Sequence, residues 1–220
     1  MARIIDHNNR KYRFMWEHSG ENRFNGAFFY SKEIVKNIIP NVETDRNWIT
    51  INTYGIGLDH SIVFIHNNLD PQIYNWLGNY KDLILVCGVP ETCQKVAHLG
   101  TPLYLPLSID VENVRSYMTE KTENVAFAGR RPKRRGYRFD DNVRILEGLP
   151  RTRLLAEMAK FRKVYAVGRT AIEAKCLDCE VLPYDDRYPD PDVWKVLDNK
   201  DAAKILQQKL ERIEHGKKRL

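Results

Sequence analysis

Apolar residues in this chain fall into two rhythms, short crowded runs and longer stretches in which they recur every three or four positions. Trp48 to Thr53, Ser61 to His66, Leu83 to Cys87 and Leu103 to Leu107 are the crowded runs. The run SIVFIH at Ser61 to His66 has almost no polar alternation, which predicts a strand buried on both faces, as in a parallel sheet. Tyr12 to Glu17 adds a β-prone run upstream. It leads through a glycine-bearing loop (Ser19 to Gly26) to helical spacing at Phe28, Ile34, Val35, Ile38 and Ile39, which Pro40 and Asn41 end. Pro71 to Leu77 and Pro90 to Leu99 read as further helices. Strands alternating with helices at this pitch predict an α/β fold with a parallel sheet.

The pattern then restarts. After a polar stretch from Glu112 to Glu123, read as a linker, Val125 to Ala128 is a strand closed by Gly129. A basic loop, a strand at Val143 to Leu146 and a helix from Pro150 and Arg151 through Phe161 follow. Lys163 to Val167 and Glu180 to Pro183 are the last strands, and Asp190 to Arg219 is read as helical. The expected architecture is therefore two small Rossmann-like parallel-sheet domains in tandem, residues 1–119 and 120–220, with a cleft between them.

One stretch stands out chemically, RKVYAVGRTAIEAKCLDCEVLPY at Arg162 to Tyr184. A strand that runs through a glycine turn (Gly168, Arg169, Thr170) straight into a helix aims backbone N–H groups and a positive helix end at one spot, which suits a phosphate. Thr170 and Glu173 have the spacing of a Thr-x-x-Glu capping box. Spacing alone favours that cap. The functional alternative is that Glu173 faces the mouth of the sheet and accepts hydrogen bonds from a ribose diol, which requires an accessible carboxylate.

Composition narrows the class. Hydrophobic content of 43% and charged content of 29% are those of an ordinary soluble globular protein. No apolar run approaches the length of a membrane span, and the N-terminus MARIIDHNNRKYRF lacks a signal core, so a cytoplasmic protein is expected. The four cysteines, Cys87, Cys93, Cys176 and Cys179, are too few for a disulfide scaffold. Cys176 and Cys179 have zinc-like spacing but no partner pair nearby, so the expectation is small apolar packing and no metal. The formal charge of +6 favours anionic partners. Much of the excess lies in the tail, Lys217 to Arg219, and in the loop RRPKRRGYR at Arg130 to Arg138.

Taken in order, several motifs resemble those of the GT-B glycosyltransferases. Leu105-Pro106-Leu107-Ser108-Ile109-Asp110 matches the segment that crosses between that family's domains. Phe127-Ala128-Gly129-Arg130 matches the strand that opens its nucleotide-binding domain, and Gly168-Arg169 with Glu173-Ala174 matches its late Gly-Arg-x-x-x-Glu-Ala helix. The resemblance implies a nucleotide-sugar donor held mainly by residues 125–185 and transfer of its sugar to a hydroxyl without a metal. It implies that Glu173 binds the donor ribose, that the turn Gly168, Arg169 and Thr170 lies against the diphosphate, and that Arg130 and Lys133 neutralise the leaving group. Many retaining members carry a further glutamate eight positions before the ribose glutamate. Tyr165 stands there in this chain, so an inverting reaction is expected.

An inverting transferase needs one base near the acceptor hydroxyl. The sequence offers His66, Asp59 and Glu17, in that order, without choosing among them. The acceptor is equally open. The basic loop with Tyr137 and Phe139 beside it could track a nucleic-acid backbone, which would make a modified base in DNA an acceptor. A binding module that keeps the fold without the chemistry is the remaining alternative.

Overall fold

In a computed structural model the chain forms two compact α/β units, and the structure describes residues 2–6, 13–17, 26–51, 58–65, 71–129 and 136–217. The first unit comprises Met1–Glu21, Ala27–Pro106 and Lys200–Leu220, and the second Asn22–Gly26 and Leu107–Asn199. The chain thus passes between units at Pro106, ahead of the expected linker, and its last helix groups with the first unit. Overlapping the start of the expected linker, Val111–Arg115 is a short helix that Asp110 caps by accepting from the Asn113 N–H at 3.0 Å.

The first unit is built on one six-stranded sheet whose spatial order follows the sequence, β1 to β6. Its strands are β1 (Ala2–Asp6), β2 (Arg13–Glu17), β3 (Trp48–Ile51), β4 (Ser61–Ile65), β5 (Ile84–Cys87) and β6 (Thr101–Tyr104). β1 is antiparallel to β2, and all later pairs are parallel. The expectation began with β2 and missed β1, whose sequence ARIID lies beside charged and polar residues that mask its alternation. Helix α1 (Gly26–Glu33) continues through a widened turn, in which the Ile39 N–H reaches back to the Ile34 carbonyl, and ends at Asn41. Helices α2 (Pro71–Leu77) and α3 (Pro90–Val96) connect the later strands. Every residue of β4 and β5 is buried, as their unbroken apolar runs require.

The second unit begins with α4 (Val111–Arg115), followed by β7 (Glu123–Ala128), β8 (Arg144–Leu146), α5 (Arg151–Met158), β9 (Phe161–Tyr165), α6 (Arg169–Cys176) and β10 (Glu180–Leu182). Its sheet is wholly parallel, with spatial order β10-β9-β7-β8. After β7 the chain steps outward to β8, then crosses back over β7 to reach β9 and continues to β10. The winding direction therefore reverses between β7 and β9. Phe127 pairs with Tyr165 across that boundary, so the carboxyl ends of the two strands lie side by side. The first sheet has no such reversal among its described strands.

The reversal decides which face each connection covers. Strand alternation turns Phe127, Tyr165 and Val167 to one face and Ala126, Ala128, Val164 and Ala166 to the other. Helices α5 and α6 pack on each other and on β9, with α5 also on β7 and β8. Among the described residues, the other face is covered by aromatic rings. Phe139 lies 5.1 Å from Phe127 and 4.8 Å from Tyr165, and Tyr184 lies 5.5 Å from Phe127, all ordinary separations for packed aromatic rings. Val143 and Tyr188 complete the layer.

The second unit also fastens its own two ends. Ile109 donates to the Leu197 carbonyl and accepts from the Asn199 N–H, each at 3.0 Å. The buried Ser108 hydroxyl donates to Asn199 Oδ1 at 2.8 Å. Residues 194–198 are accordingly not helical, and the final helix α7 starts at Asn199 and runs to Lys217. The expected helical start at Asp190 is corrected to that point, since Pro191–Val193 makes only a single tight turn. In the first unit α7 buries Ala202, Ala203, Leu206 and Leu210, and Lys209 donates to the Tyr104 carbonyl at 2.6 Å.

Within this ring layer the buried centre carries stability and the rim does not. Phe127→Ala should cost about 3 to 5 kcal/mol in urea unfolding. Tyr137→Ala, at a ring 37% exposed, should cost less than about 1 kcal/mol. Equal losses at the two positions would contradict this assignment.

Candidate functional site

Parallel sheets collect ligands outside the carboxyl ends of their strands, at the point where the winding direction reverses. In the second unit that point lies between β7 and β9. Two glycines end the strands there. Gly129 follows β7 closely enough that a Cβ on it would meet the Phe127 ring at 3.0 Å. Gly168 follows β9 and caps α6, with φ 61° and ψ −136°, a conformation that an L side chain resists. Its carbonyl accepts from the N–H groups of Ala171 and Ile172 at 3.0 and 3.2 Å, which starts the helix at Arg169.

This start corrects the expected capping box. Thr170 is the second residue of α6, not its cap, and no side-chain cap bond is made. Glu173 therefore sits in the second turn, too far along to reach back to the helix start. Its carboxylate turns instead to two arginines. Glu173 Oε1 accepts from Arg169 Nε at 2.7 Å, one helical turn away. The same oxygen accepts from Arg151 Nε at 3.1 Å and Arg151 Nη2 at 2.9 Å. Arg151 is the first residue of α5, so one carboxylate ties together the opening residues of two helices that both rise from the carboxyl edge of the sheet.

Burial changes what Glu173 can do. Only 3% of it is exposed, against the open carboxylate that a ribose diol would need, and the oxygen that holds the arginines already accepts three N–H bonds. The expectation of a carboxylate facing the mouth of the sheet is thereby corrected. Arg169 is 6% exposed, and the Arg151 side chain, at 15%, is the most accessible member of the group. Two guanidiniums and one carboxylate carry a formal charge of +1.

At the end of β10, Asp185 accepts from the Arg187 backbone N–H at 3.0 Å and from Arg187 Nε at 2.8 Å, and its other oxygen accepts from Arg187 Nη2. These bonds hold the Asp185 carboxyl at about 2, below its usual range. The Arg187 guanidinium lies 5.8 Å from the centre of the Tyr188 ring. Burial among the other rings pushes the Tyr184 hydroxyl up.

The other sequence candidates divide as follows. His66, Arg130 and Lys133 lie outside the described residues, as does most of the basic loop. Glu17 is the last residue of β2. Asp59 stands in the turn before β4, at the amino edge of the first sheet. Its Oδ1 accepts from the Lys81 N–H at 2.7 Å and its carbonyl from Asn47 Nδ2 at 3.2 Å. Those bonds fasten a turn, at the edge opposite the one where such sheets bind ligands, and lend no support to Asp59 as a base. Cys176 faces the Val111 carbonyl, and Cys179 contacts the Met158 carbonyl and the Lys121 ammonium. Burial pushes both thiols up.

Arg151 was missed in the sequence because it looked like an ordinary helix opener. A usable signal was present, since an arginine is a poor choice for a first turn on dipole grounds. No family model matches the chain, and no curated protein matches it. The weight of a functional reading therefore falls on this edge.

The Gly168 turn makes a direct prediction. Gly168→Ala forces a side chain into a left-handed conformation and should lower stability by about 1 to 3 kcal/mol in chemical denaturation. A loss below a few tenths would mean that the turn relaxes easily and does not fix the start of α6.

Proposed function

We propose that the chain is a metal-independent glycosyltransferase that holds a nucleotide-sugar donor on its second unit and passes the sugar to a hydroxyl acceptor. The single observation that carries this reading is the reversal between β7 and β9. It brings the Gly129 end, from which the basic loop departs, next to the Gly168 turn and the first turn of α6. A diphosphate at that edge would meet backbone N–H groups, a positive helix end and several cations. The order of motifs described above supplies the reaction class.

In that reaction the acceptor oxygen attacks the anomeric carbon as the bond from that carbon to the diphosphate breaks. The electron pair leaves with the nucleoside diphosphate, and the acceptor proton passes to a base, for which His66 and Glu17 remain the candidates. The leaving group gains charge as it departs. Fixed arginines stabilise it without reorganising, which is the contribution that a divalent cation would otherwise make. An inverting outcome follows from Tyr165 standing where retaining relatives of the resembled family carry glutamate.

The discriminating experiment has two parts. Nucleoside diphosphates at about a hundred times their dissociation constant should stabilise the folded chain by about 2.7 kcal/mol, read as a rise in Tm. Release of free sugar from a nucleotide sugar in water, or its transfer to an added acceptor, then separates an enzyme from a binding module. No thermal shift with any of the common nucleoside diphosphates would remove the donor site. A shift without turnover would leave a binding module.

A further inference from the structure

One ring of the layer over the second sheet is left open to water. Among the described residues of that unit Tyr137 is the only exposed aromatic side chain, at 37%. Its ring leans on Phe139 at 4.8 Å and 54° and on Tyr184 at 5.6 Å and 80°, so neither neighbour is stacked flat upon it. Phe139 in turn packs on Tyr165, the last residue of β9, and Tyr184 follows β10. The open ring is thus propped by residues at the carboxyl ends of two strands.

The chain around this ring is strongly cationic. Residues 130–136 join the end of β7 to Tyr137, and five of those seven are arginine or lysine. Arg138 follows and is exposed. From Arg130 to Asp141 the sequence holds six cations against two carboxylates, Asp140 and Asp141. A propped aromatic ring beside a run of cations is the pairing that takes up single-stranded nucleic acid, whose bases stack on the ring while its phosphates are drawn to the charges. A duplex keeps its bases stacked within itself and would leave the ring unused. A nucleoside diphosphate takes up only part of this charge, whereas a strand brings one phosphate with every base.

We propose that Tyr137 and Arg138 form a contact surface for single-stranded nucleic acid, with a base stacked on the Tyr137 ring. The claim stands apart from the donor site proposed above, because binding a strand requires neither a sugar nor a diphosphate. If the transferase reading also holds, the strand is the carrier of the acceptor hydroxyl.

The test uses the full chain and a fluorescent oligothymidylate of about 16 nucleotides, with binding read by anisotropy across a salt series. Inorganic polyphosphate, which has charge and no bases, is the competitor that isolates the ring. The expected result is an affinity for the strand that falls with salt and drops about tenfold further in Tyr137→Ala. Tyr137→Phe keeps the wild-type affinity, and polyphosphate binds wild type and Tyr137→Ala alike. Strand affinity unchanged in Tyr137→Ala overturns the proposal, as does an equal loss for strand and polyphosphate. A wild-type chain that does not bind the strand at low salt, or binds duplex equally tightly, also overturns it. If Tyr137→Ala does not fold, Tyr137→Leu decides in its place, since leucine fills the rim without offering a ring. Failure of the donor site is read separately, in the thermal shift with nucleoside diphosphates.

Discussion

One carboxylate oxygen shared by two guanidiniums is the contact on which the second unit turns. Glu173 fixes the first residue of α5 to the first residue of α6, and so sets the spacing of the two helices at the edge where the sheet opens. Taking three charges largely out of water is expensive, and removal of Glu173 would leave two guanidiniums facing each other beside two positive helix ends.

The sheet explains why this contact sits where it does. The order β10-β9-β7-β8 forces the chain to step one way after β7 and the other way after β9. Connections leaving the two strands in opposite directions part at their carboxyl ends, the edge where parallel sheets bind their ligands. Gly129 and Gly168 are the residues that let the chain turn away there. The rings of Phe127, Phe139, Tyr165 and Tyr184 close the face that α5 and α6 leave uncovered, so the edge is backed by a packed layer. In the first unit the strands are added in sequence order, and its described residues show no equivalent opening.

Much of this was legible in the sequence, and the parts that were not have definite causes. Unbroken apolar runs such as SIVFIH and LILVC announced the buried strands of the first sheet, and the restart at Val125 announced a second sheet. The turn at Gly168 was readable because a strand, a glycine and a helix follow each other without a gap. The start of α6 was misplaced by two residues because Thr170 and Glu173 mimic a cap, while the Gly168 carbonyl already starts the helix from outside. That small shift in register turned Glu173 from an edge group into a buried one. The contact between Arg151 and Glu173 could not be read from spacing, because the two lie 22 positions apart, across a strand and a turn. The misplaced start of the last helix has a similar origin. Val193, Val196 and Leu197 keep helical spacing, yet the Leu197 carbonyl is taken by the Ile109 N–H.

The proposed function requires a diphosphate at the reversal of the second sheet, and the most direct measurement is a crystal structure with a nucleoside diphosphate bound. The expected result is two phosphates at the carboxyl ends of β7 and β9, with the first-turn N–H groups of α6 donating to them. Phosphates bound at any other edge would overturn the proposed donor site.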